Sequence, residues 1–127
     1  IQLTCQFASV TDDEARYTFA VIHFLRSITK MFFGKNQNSP VAGTPPPVLN
    51  FQAFGSQQFN NVPVVVTQFS TTYDSNVDLK LFDGDTQIPT LMNMFVGLAV
   101  QQTPDRQKNE FTTNDLISGR AYQNGFI

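Results

Sequence analysis

Very few side chains in this sequence belong to the types that enzymes use as bases or nucleophiles. His23 is the only histidine and Cys5 the only cysteine. His23 stands in a largely apolar segment, which is more typical of a boundary residue than of a general base. Neither Cys5 nor any serine lies in a recognisable nucleophile motif, and Cys5 alternates with polar residues as a small buried side chain would. The sequence therefore predicts no catalytic residue and no enzyme activity.

The segment DSNVD, residues 74–78, places oxygen-bearing side chains at the spacing that opens a calcium-binding loop. The glycine expected at position six of such a loop is Leu79, and position twelve is Asp85 rather than glutamate. Asp and Asn at this density are more typical of a turn in which side chains bond their own backbone. We therefore predict an Asx-rich turn, with no metal and no cofactor.

The composition excludes several classes of protein. Charged residues make up 14% of the 127 residues, against about 25% in an average domain. The net charge of −2 argues against a protein that reads nucleic acid, which needs clustered Lys and Arg. A single cysteine cannot form an internal disulfide. The sequence contains no run of 18 apolar residues, so no membrane-spanning helix is expected. The length suits a single domain spanning residues 1–127. Because the chain begins at Ile1 and not at Met, we expect further residues before it in the full protein.

One long helix is predicted from Asp12 to Phe33. Thr11 followed by Glu14 forms a capping-box signature, and Gly34 is suited to follow the last turn. Apolar residues recur at spacings of three and four, and a second apolar band widens this surface. The first band comprises Ala15, Phe19, Ile22, Leu25, Ile28, Thr29 and Phe32, and the second Tyr17, Val21, Phe24 and Met31. A helix apolar on so many sides predicts burial by more than one surface.

The strands are predicted from alternation and turn signals. Residues 1–8 alternate, with Leu3, Cys5 and Phe7 on the inner face. Residues 49–54 and 62–69 form an antiparallel hairpin after a tight turn at Asn60-Asn61, and Pro63 indicates an edge or a bulge. The strand from Val62 to Tyr73 would point Thr67, Phe69, Thr71 and Tyr73 to one face and Gln68, Ser70 and Thr72 to the other.

The last predicted strand, Leu91 to Gln102, is apolar on both faces and should be central in its sheet. Before it, Asp83-Gly84 is a hairpin-turn signal inside a loop from Asp74 to Pro89 that we expect to protrude. After it, one short helical turn is expected before Gly119, and the charges at Arg106, Lys108 and Arg120 indicate a solvated or subunit-contact face. The element order predicts an α+β fold, a mostly antiparallel sheet with one helix packed on it.

Several segments together resemble a family. They are ARYTFAVIHFLRSITKMFFG, TPPPVLNFQAFG, FNNVPVVVTQFSTTYDSNVDLK, IPT, NEFT and DLISGRAYQNGFI, and they span Ala15 to Ile127. In this order they are similar to the C-terminal domain of proteins at the baseplate–tube junction of contractile-tailed phages, namely tail-tube initiators and baseplate hub proteins. The series NVPVVV, F, VD and PT is the most specific part, and it departs from the family at Leu79, where an aromatic residue is expected.

The resemblance implies a tail-tube fold, a β-sandwich or half-barrel flanked by a helix. Copies would join edge to edge, usually six in a ring, around a channel through which DNA leaves the particle. It implies other tail-tube and baseplate proteins as neighbours, and location in the virion after assembly in the bacterial cytoplasm. Gln68, Ser70 and Thr72 are the lumen-facing candidates. The subunit-interface candidates lie in the protruding loop and are Asp74, Asp78, Lys80, Phe82, Asp83 and Asp85.

A second interpretation, in a different functional class, remains open. The same elements would suit a binding module that holds a peptide or small ligand along an exposed sheet edge. Assembly distinguishes the two, because a tube protein forms rings, whereas a binding module is a stable monomer with a pocket.

Overall fold

A computed structural model describes residues 1–32, 40 and 42–127 of the chain. The elements are β1 (Gln2–Ala8), α1 (Asp12–Ile28), β2 (Leu49–Ala53), β3 (Phe59–Thr72), β4 (Leu79–Phe82), β5 (Thr86–Pro89), β6 (Leu91–Val100), α2 (Pro104–Glu110), α3 (Thr113–Ser118) and α4 (Arg120–Gln123). One sheet has the strand order β1-β6-β3-β2, and β4 and β5 form a separate ribbon. The predicted α+β class, with antiparallel sheets and helices, is confirmed.

The chain packs as two compact units. The first contains Ile1–Pro46 and Val66–Leu98, and the second contains Pro47–Val65 and Ala99–Ile127. In the first unit β1 pairs antiparallel with β6, so that Leu3 lies opposite Val96 and Phe7 opposite Met92. The inner face of β1 alternates with exposed residues as predicted, although Cys5 is half-buried rather than fully buried.

Helix α1 packs on the inner face of β1 and β6 because one of its stripes is apolar. The Phe7 and Tyr17 rings lie 6.3 Å apart, which places the helix on the Phe7 side of the sheet. The core of this unit is almost entirely aliphatic and methionine, and its buried apolar members are Ala15, Ile22, Leu25, Ile28, Val66, Ile88, Met92, Met94, Val96 and Leu98. Burying each large side chain of this kind contributes about 1.5–3 kcal/mol.

The start of α1 follows its local sequence. The Glu14 N–H donates to Thr11 Oγ1, and Glu14 Oε2 accepts from the backbone N–H groups of Thr11 and Val10, which completes the predicted capping box. These backbone hydrogen bonds, the one from Thr11 first, lower the pKa of Glu14.

The end of α1 differs from the prediction, because the helix stops at Ile28. The Thr29 hydroxyl donates to the Leu25 and Arg26 carbonyls, and the Lys30 N–H donates to the Ser27 carbonyl instead of the Arg26 carbonyl that a continuing helix would use. Farther on, Phe32 pairs with Thr44 in an isolated β-bridge. Phe33, Gly34 and Lys35, the predicted end of the helix, lie outside the described residues.

In the second unit β2 and the first half of β3 form the predicted antiparallel hairpin, with Phe51 opposite Val62. The turn lies at residues 54–58, not at Asn60-Asn61, which belong to β3. Asn61 has a φ of 51° beside the register irregularity between Phe51 and Ala53. Pro63 is next to this irregularity, but it is not on an edge, because β3 lies between β6 and β2.

Three short helices close the second unit, where one helical turn was predicted. Thr103 and Thr112 each cap a helix, α2 and α3, through their hydroxyl oxygens. Arg106 Nη2 donates to the Asn124 carbonyl at 2.7 Å, and the Phe111 and Phe126 rings lie 5.1 Å apart. Thus Arg106, expected on a solvated or subunit-contact face, binds its own chain.

Candidate functional site

The amino-acid composition of the four-stranded sheet is unusual for a sheet with an exposed face. None of its four strands, β1, β2, β3 and β6, contains Asp, Glu, Lys, Arg or His. One face of β1 and β6 is buried under α1, so the side chains that these strands expose lie on the opposite face. Side chains directly opposite each other in an antiparallel pair share a face. The pairs Gln2–Gly97, Thr4–Phe95 and Gln6–Asn93 therefore lie on the side away from α1.

The second half of β3 contributes to the same face through Gly97. A Cβ placed on Gly97 would meet Gln68 Cβ and Thr67 Oγ1, each at 3.4 Å, so these atoms lie on the face that Gly97 shares with Gln2. Thr67 and Gln68 are consecutive and both exposed. Two residues of one strand opposite one residue of the next are the pattern of a β-bulge.

The burial pattern of β3 changes phase at Thr67 and Gln68. Before it the buried residues are even-numbered, Val62, Val64 and Val66, whereas after it Phe69 and Thr71 are the more buried ones. Gln68, Ser70 and Thr72, the lumen candidates, are exposed. We name the polar sheet face as the set of exposed neutral polar side chains on this side: Gln2, Thr4, Gln6, Thr67, Gln68, Ser70, Thr72 and Asn93.

Chemically, the polar sheet face offers amides and hydroxyls and no ionisable group. Phe95 is half-buried among these side chains, and Leu91 is 39% exposed at the end of the strand. Amide and hydroxyl groups bind water and give no fixed charge, so the face is hydrated and electrically neutral. Such a face is suited to a surface along which water and solutes move, and not to a site that binds a ligand.

Strand β1 presents an open edge beside this face. Within the described part of the chain β1 pairs with β6 alone. It has seven residues and contains neither proline nor charge, which are two of the devices that protect an edge from pairing with another chain. The residue before β1 is also bound to the sheet, because the Ile1 amino group donates to the Leu98 carbonyl at 2.8 Å.

The predicted interface residues separate into two groups. Lys80 forms an ion pair with Asp12 at 3.2 Å, and the Phe82 ring lies 5.3 Å from Phe19 and beneath the Arg16 guanidinium. These two side chains therefore hold the β4–β5 ribbon on α1. The acidic candidates Asp74, Asp78, Asp83 and Asp85 are exposed.

The acidic loop has the structure of turns. Asp74 Oδ1 accepts from the Asn76 N–H at 3.2 Å, which is the predicted Asx turn, and Thr90 closes the loop by donating to the Asp78 carbonyl. Asp83 and Gly84, with φ of 50° and 86°, form the predicted turn between β4 and β5. Among the described residues no group of three or more His, Cys, Asp or Glu side chains could hold a metal ion.

Two apolar sets are exposed: one belongs to the band of α1 for which a second covering surface was predicted, and the other, on the ribbon, was not among the predicted interface candidates. Leu79 and Leu81, on the outer face of the ribbon, are 60% and 58% exposed. On α1, Tyr17 and Phe24 of the second apolar band are 65% and 54% exposed. The alternation in Leu79–Phe82 was the available signal for the ribbon, but it did not reveal which face turns outward.

His23 lines an open hollow of about 430 Å³ in the first unit. The other lining residues are Phe19, Ile22, Arg26, Tyr73, Phe82 and Thr86. His23 is exposed, and the lining offers neither a carboxylate to orient its imidazole nor a Ser or Cys that it could activate.

No family model, curated protein or solved structure matches this chain. Among the described residues there is no helix of the length and apolarity required to cross a membrane.

Proposed function

We propose that this chain is a structural subunit of a phage tail at the baseplate–tube junction, where copies form a ring and the polar sheet face lines the DNA channel. The proposal begins from the resemblance of residues 15–127 to tail-tube initiators and baseplate hub proteins. The observation that carries it is the polar sheet face, an exposed sheet surface without a charged side chain in any of its strands.

Such a face meets the physical requirement of a DNA channel. Each phosphate bound by Lys or Arg strengthens attachment to DNA, so a wall without them lets the duplex move. Hydroxyls and amides keep the wall hydrated. The wall would place Gln68, Ser70 and Thr72 at the lumen, as the resemblance implies.

The open edge of β1 supports assembly. A flat, uncharged edge is an aggregation hazard unless another strand covers it. In a closed ring of identical subunits every such edge meets a partner, which removes the hazard without a protective charge. Neighbouring rings and baseplate proteins would then contact the outer apolar surfaces, Leu79 with Leu81 and Tyr17 with Phe24. Virion location follows from this role.

A symmetric reconstruction by electron cryo-microscopy of assembled rings tests the proposal. We expect closed rings, six-fold if the resemblance extends to copy number, with Gln68, Ser70 and Thr72 on the lumen wall. A matched pair of variants adds a functional reading: Ser70→Lys should assemble normally but retain short duplex DNA in a salt-dependent way, whereas Val10→Lys, at a 66% exposed position off the sheet, should not. Rings with these residues outside, or a monomer at all concentrations, would refute the proposal.

The β1 edge also favours the second candidate, a monomeric module that binds an extended peptide by strand addition. Sedimentation velocity over a hundredfold range of concentration separates the two. A monomer throughout, together with protection of β1 amides from hydrogen exchange only when an extended peptide is added, would select the binding module. Rings in the absence of peptide would select the tail subunit.

A further inference from the structure

The sequence contains a single Asn-Gly pair, Asn124-Gly125, which directly follows α4 in the second unit. Asparagine followed by glycine is the pair that deamidates most readily, because glycine has no side chain to hinder attack by its backbone nitrogen. The pair therefore carries an intrinsic reactivity that the fold must either allow or suppress.

The reaction joins two atoms of neighbouring residues. The Gly125 nitrogen loses its proton and attacks Asn124 Cγ as a nucleophile. The new N–Cγ bond closes a five-membered imide, the Cγ–Nδ2 bond breaks, and Nδ2 leaves as ammonia with that proton. Water then opens the imide at one of its two carbonyls, which leaves aspartate or isoaspartate at position 124. Water is the only co-reactant, so the reaction requires only that the two atoms meet.

The backbone at Asn124 holds these two atoms apart. Asn124 has a φ of −85° and a ψ of 6°. For the imide to close, the Gly125 nitrogen must lie beside Asn124 Cβ, which from this ψ requires a rotation of roughly 120° about the Cα–C bond, as the tetrahedral geometry of Cα dictates. Such a rotation would move Gly125 and the residues after it away from their places against α4.

The hydrogen bonds that end α4 oppose this rotation. The Gly125 N–H donates to the Tyr122 carbonyl at 3.3 Å, and the Phe126 N–H donates to the Ala121 carbonyl at 3.1 Å. With Gly125 at a φ of 84°, these two bonds form a Schellman motif. Closing the imide would break both bonds, one of which occupies the N–H that must lose its proton.

Side chains from the rest of the second unit hold both carbonyls of the pair. Arg106 Nη2 donates to the Asn124 carbonyl at 2.7 Å, and Gln102 Nε2 donates to the Gly125 carbonyl at 3.0 Å. The following residue, Phe126, is 8% exposed and so belongs to the core of the unit. The pair can therefore react only after this segment detaches from the unit.

We propose that Asn124 is a modification site gated by the fold, inert while the Schellman motif, Arg106 and Gln102 hold the segment, and deamidated when the segment opens. The change is irreversible, because ammonia is lost and isoaspartate adds one methylene to the backbone where the Schellman bonds must form again. A chain that converts to isoaspartate while open therefore cannot restore the closed segment. This site is separate from the polar sheet face and does not depend on the channel role.

A peptide of the same sequence provides the reference rate. Cleavage by trypsin after Arg120 releases residues 121–127, which contain Asn124 but neither Arg106 nor Gln102. The intact chain and this peptide are incubated separately in mildly alkaline buffer, and conversion at Asn124 is followed by mass spectrometry. We expect the intact chain to deamidate at least about tenfold more slowly than the peptide, because only the open fraction reacts. Equal rates would overturn the proposal.

A matched pair of variants tests the gate. Arg106→Met removes the hydrogen bond to the Asn124 carbonyl and should speed deamidation of the intact chain about tenfold. Lys108→Met, at an exposed position of the same helix, should leave the rate unchanged. Both variants release the same reference peptide, so a difference between them reports opening and not intrinsic reactivity. Equal rates in the two variants would contradict the gate.

The wild-type chain gives the same test without a substitution. In a series of urea concentrations below the unfolding transition, the deamidation rate should rise in parallel with hydrogen exchange of the Gly125 and Phe126 amides, since both report the same opening. Exchange of these amides without conversion at Asn124, or conversion that does not follow exchange, would also overturn the proposal.

Discussion

The hydroxyl oxygens of Ser9 and Thr18 lie 3.0 Å apart, and both residues are 1% exposed. Thr18 Oγ1 also lies 2.9 Å from the Glu14 carbonyl, to which it must donate, so the Ser9 hydroxyl donates to Thr18. Ser9 follows β1 directly, and Thr18 is on the buried stripe of α1. This pair therefore links strand to helix through a chain of buried hydrogen bonds.

Thr18→Val should lower the free energy of unfolding by about 1–3 kcal/mol, because it leaves the Ser9 hydroxyl buried without an acceptor. Ser9→Ala should cost less, about 0.5–1.5 kcal/mol, since Thr18 keeps its bond to the Glu14 carbonyl. The double variant should cost less than the sum of the two. Urea denaturation of the four proteins measures the coupling, and strict additivity would show that the hydroxyls do not interact.

Ile22→Asp should prevent folding, at a cost of about 3–5 kcal/mol, because Ile22 is 5% exposed and the new charge has no partner. The matched control is Phe24→Asp on the same helix, 54% exposed, which should change stability by about 0.5 kcal/mol or less. Circular dichroism during thermal unfolding distinguishes them. On the proposed function, Phe24→Asp should fold but impair ring assembly. Normal rings of this variant would show that the exposed band of α1 is not part of the subunit interface.

On the proposed function, Leu81→Asp on the outer face of the ribbon should leave the fold intact and weaken contacts between rings. Phe82→Asp, the adjacent residue on the inner face, should instead destabilise the subunit by separating Phe82 from Phe19. Thermal unfolding together with electron microscopy of assemblies gives both readings. If Leu81→Asp stacked as wild type does, the ribbon would have no role in assembly.

Gly125→Ala should destabilise the second unit by about 2–4 kcal/mol, because Gly125 has a φ of 84° and a Cβ there would meet the Asn61 carbonyl oxygen at 2.3 Å. Gly84→Ala is the control, with a φ of 86° but open space around the new atom, and should cost about 1 kcal/mol. The difference between them isolates the steric contact. Equal losses in urea denaturation would mean that the backbone at Gly125 moves freely.

Acid should loosen the start of α1. The pKa of Glu14 is lowered by its hydrogen bonds from Thr11 and Val10, so the ionised form is favoured in the folded state. Its contribution to stability is complete above the ordinary pKa, 4.5, and is lost as pH falls through the lower folded value. Glu14→Gln keeps a cap acceptor and should flatten the acid limb of the stability profile, whereas Asp13→Asn, outside the cap, should not. An unchanged acid limb in Glu14→Gln would contradict this assignment.

Features that depend on neighbours in sequence were predictable. The cap at Thr11, the Asx turn at Asp74 and the turn at Asp83-Gly84 each need hydrogen bonds or φ values only a few residues apart. The central place of β6 between β1 and β3 was also predictable from its apolar residues, although its face with Leu91 and Asn93 is exposed and not covered. These features together gave the α+β class.

Tertiary structure decided which faces those elements present. Alternation alone placed Gln68, Ser70 and Thr72 together, but only the contact of Thr67 and Gln68 with Gly97 shows that β3 changes phase and turns them away from α1. Similarly, the sequence did not show which face of the ribbon, that of Lys80 and Phe82 or that of their neighbours, packs on α1. The structure does, because Lys80 pairs with Asp12 and Phe82 packs against Phe19. The physical reason is that a strand or ribbon has two faces of similar local energy, and the choice between them is made by partners distant in sequence.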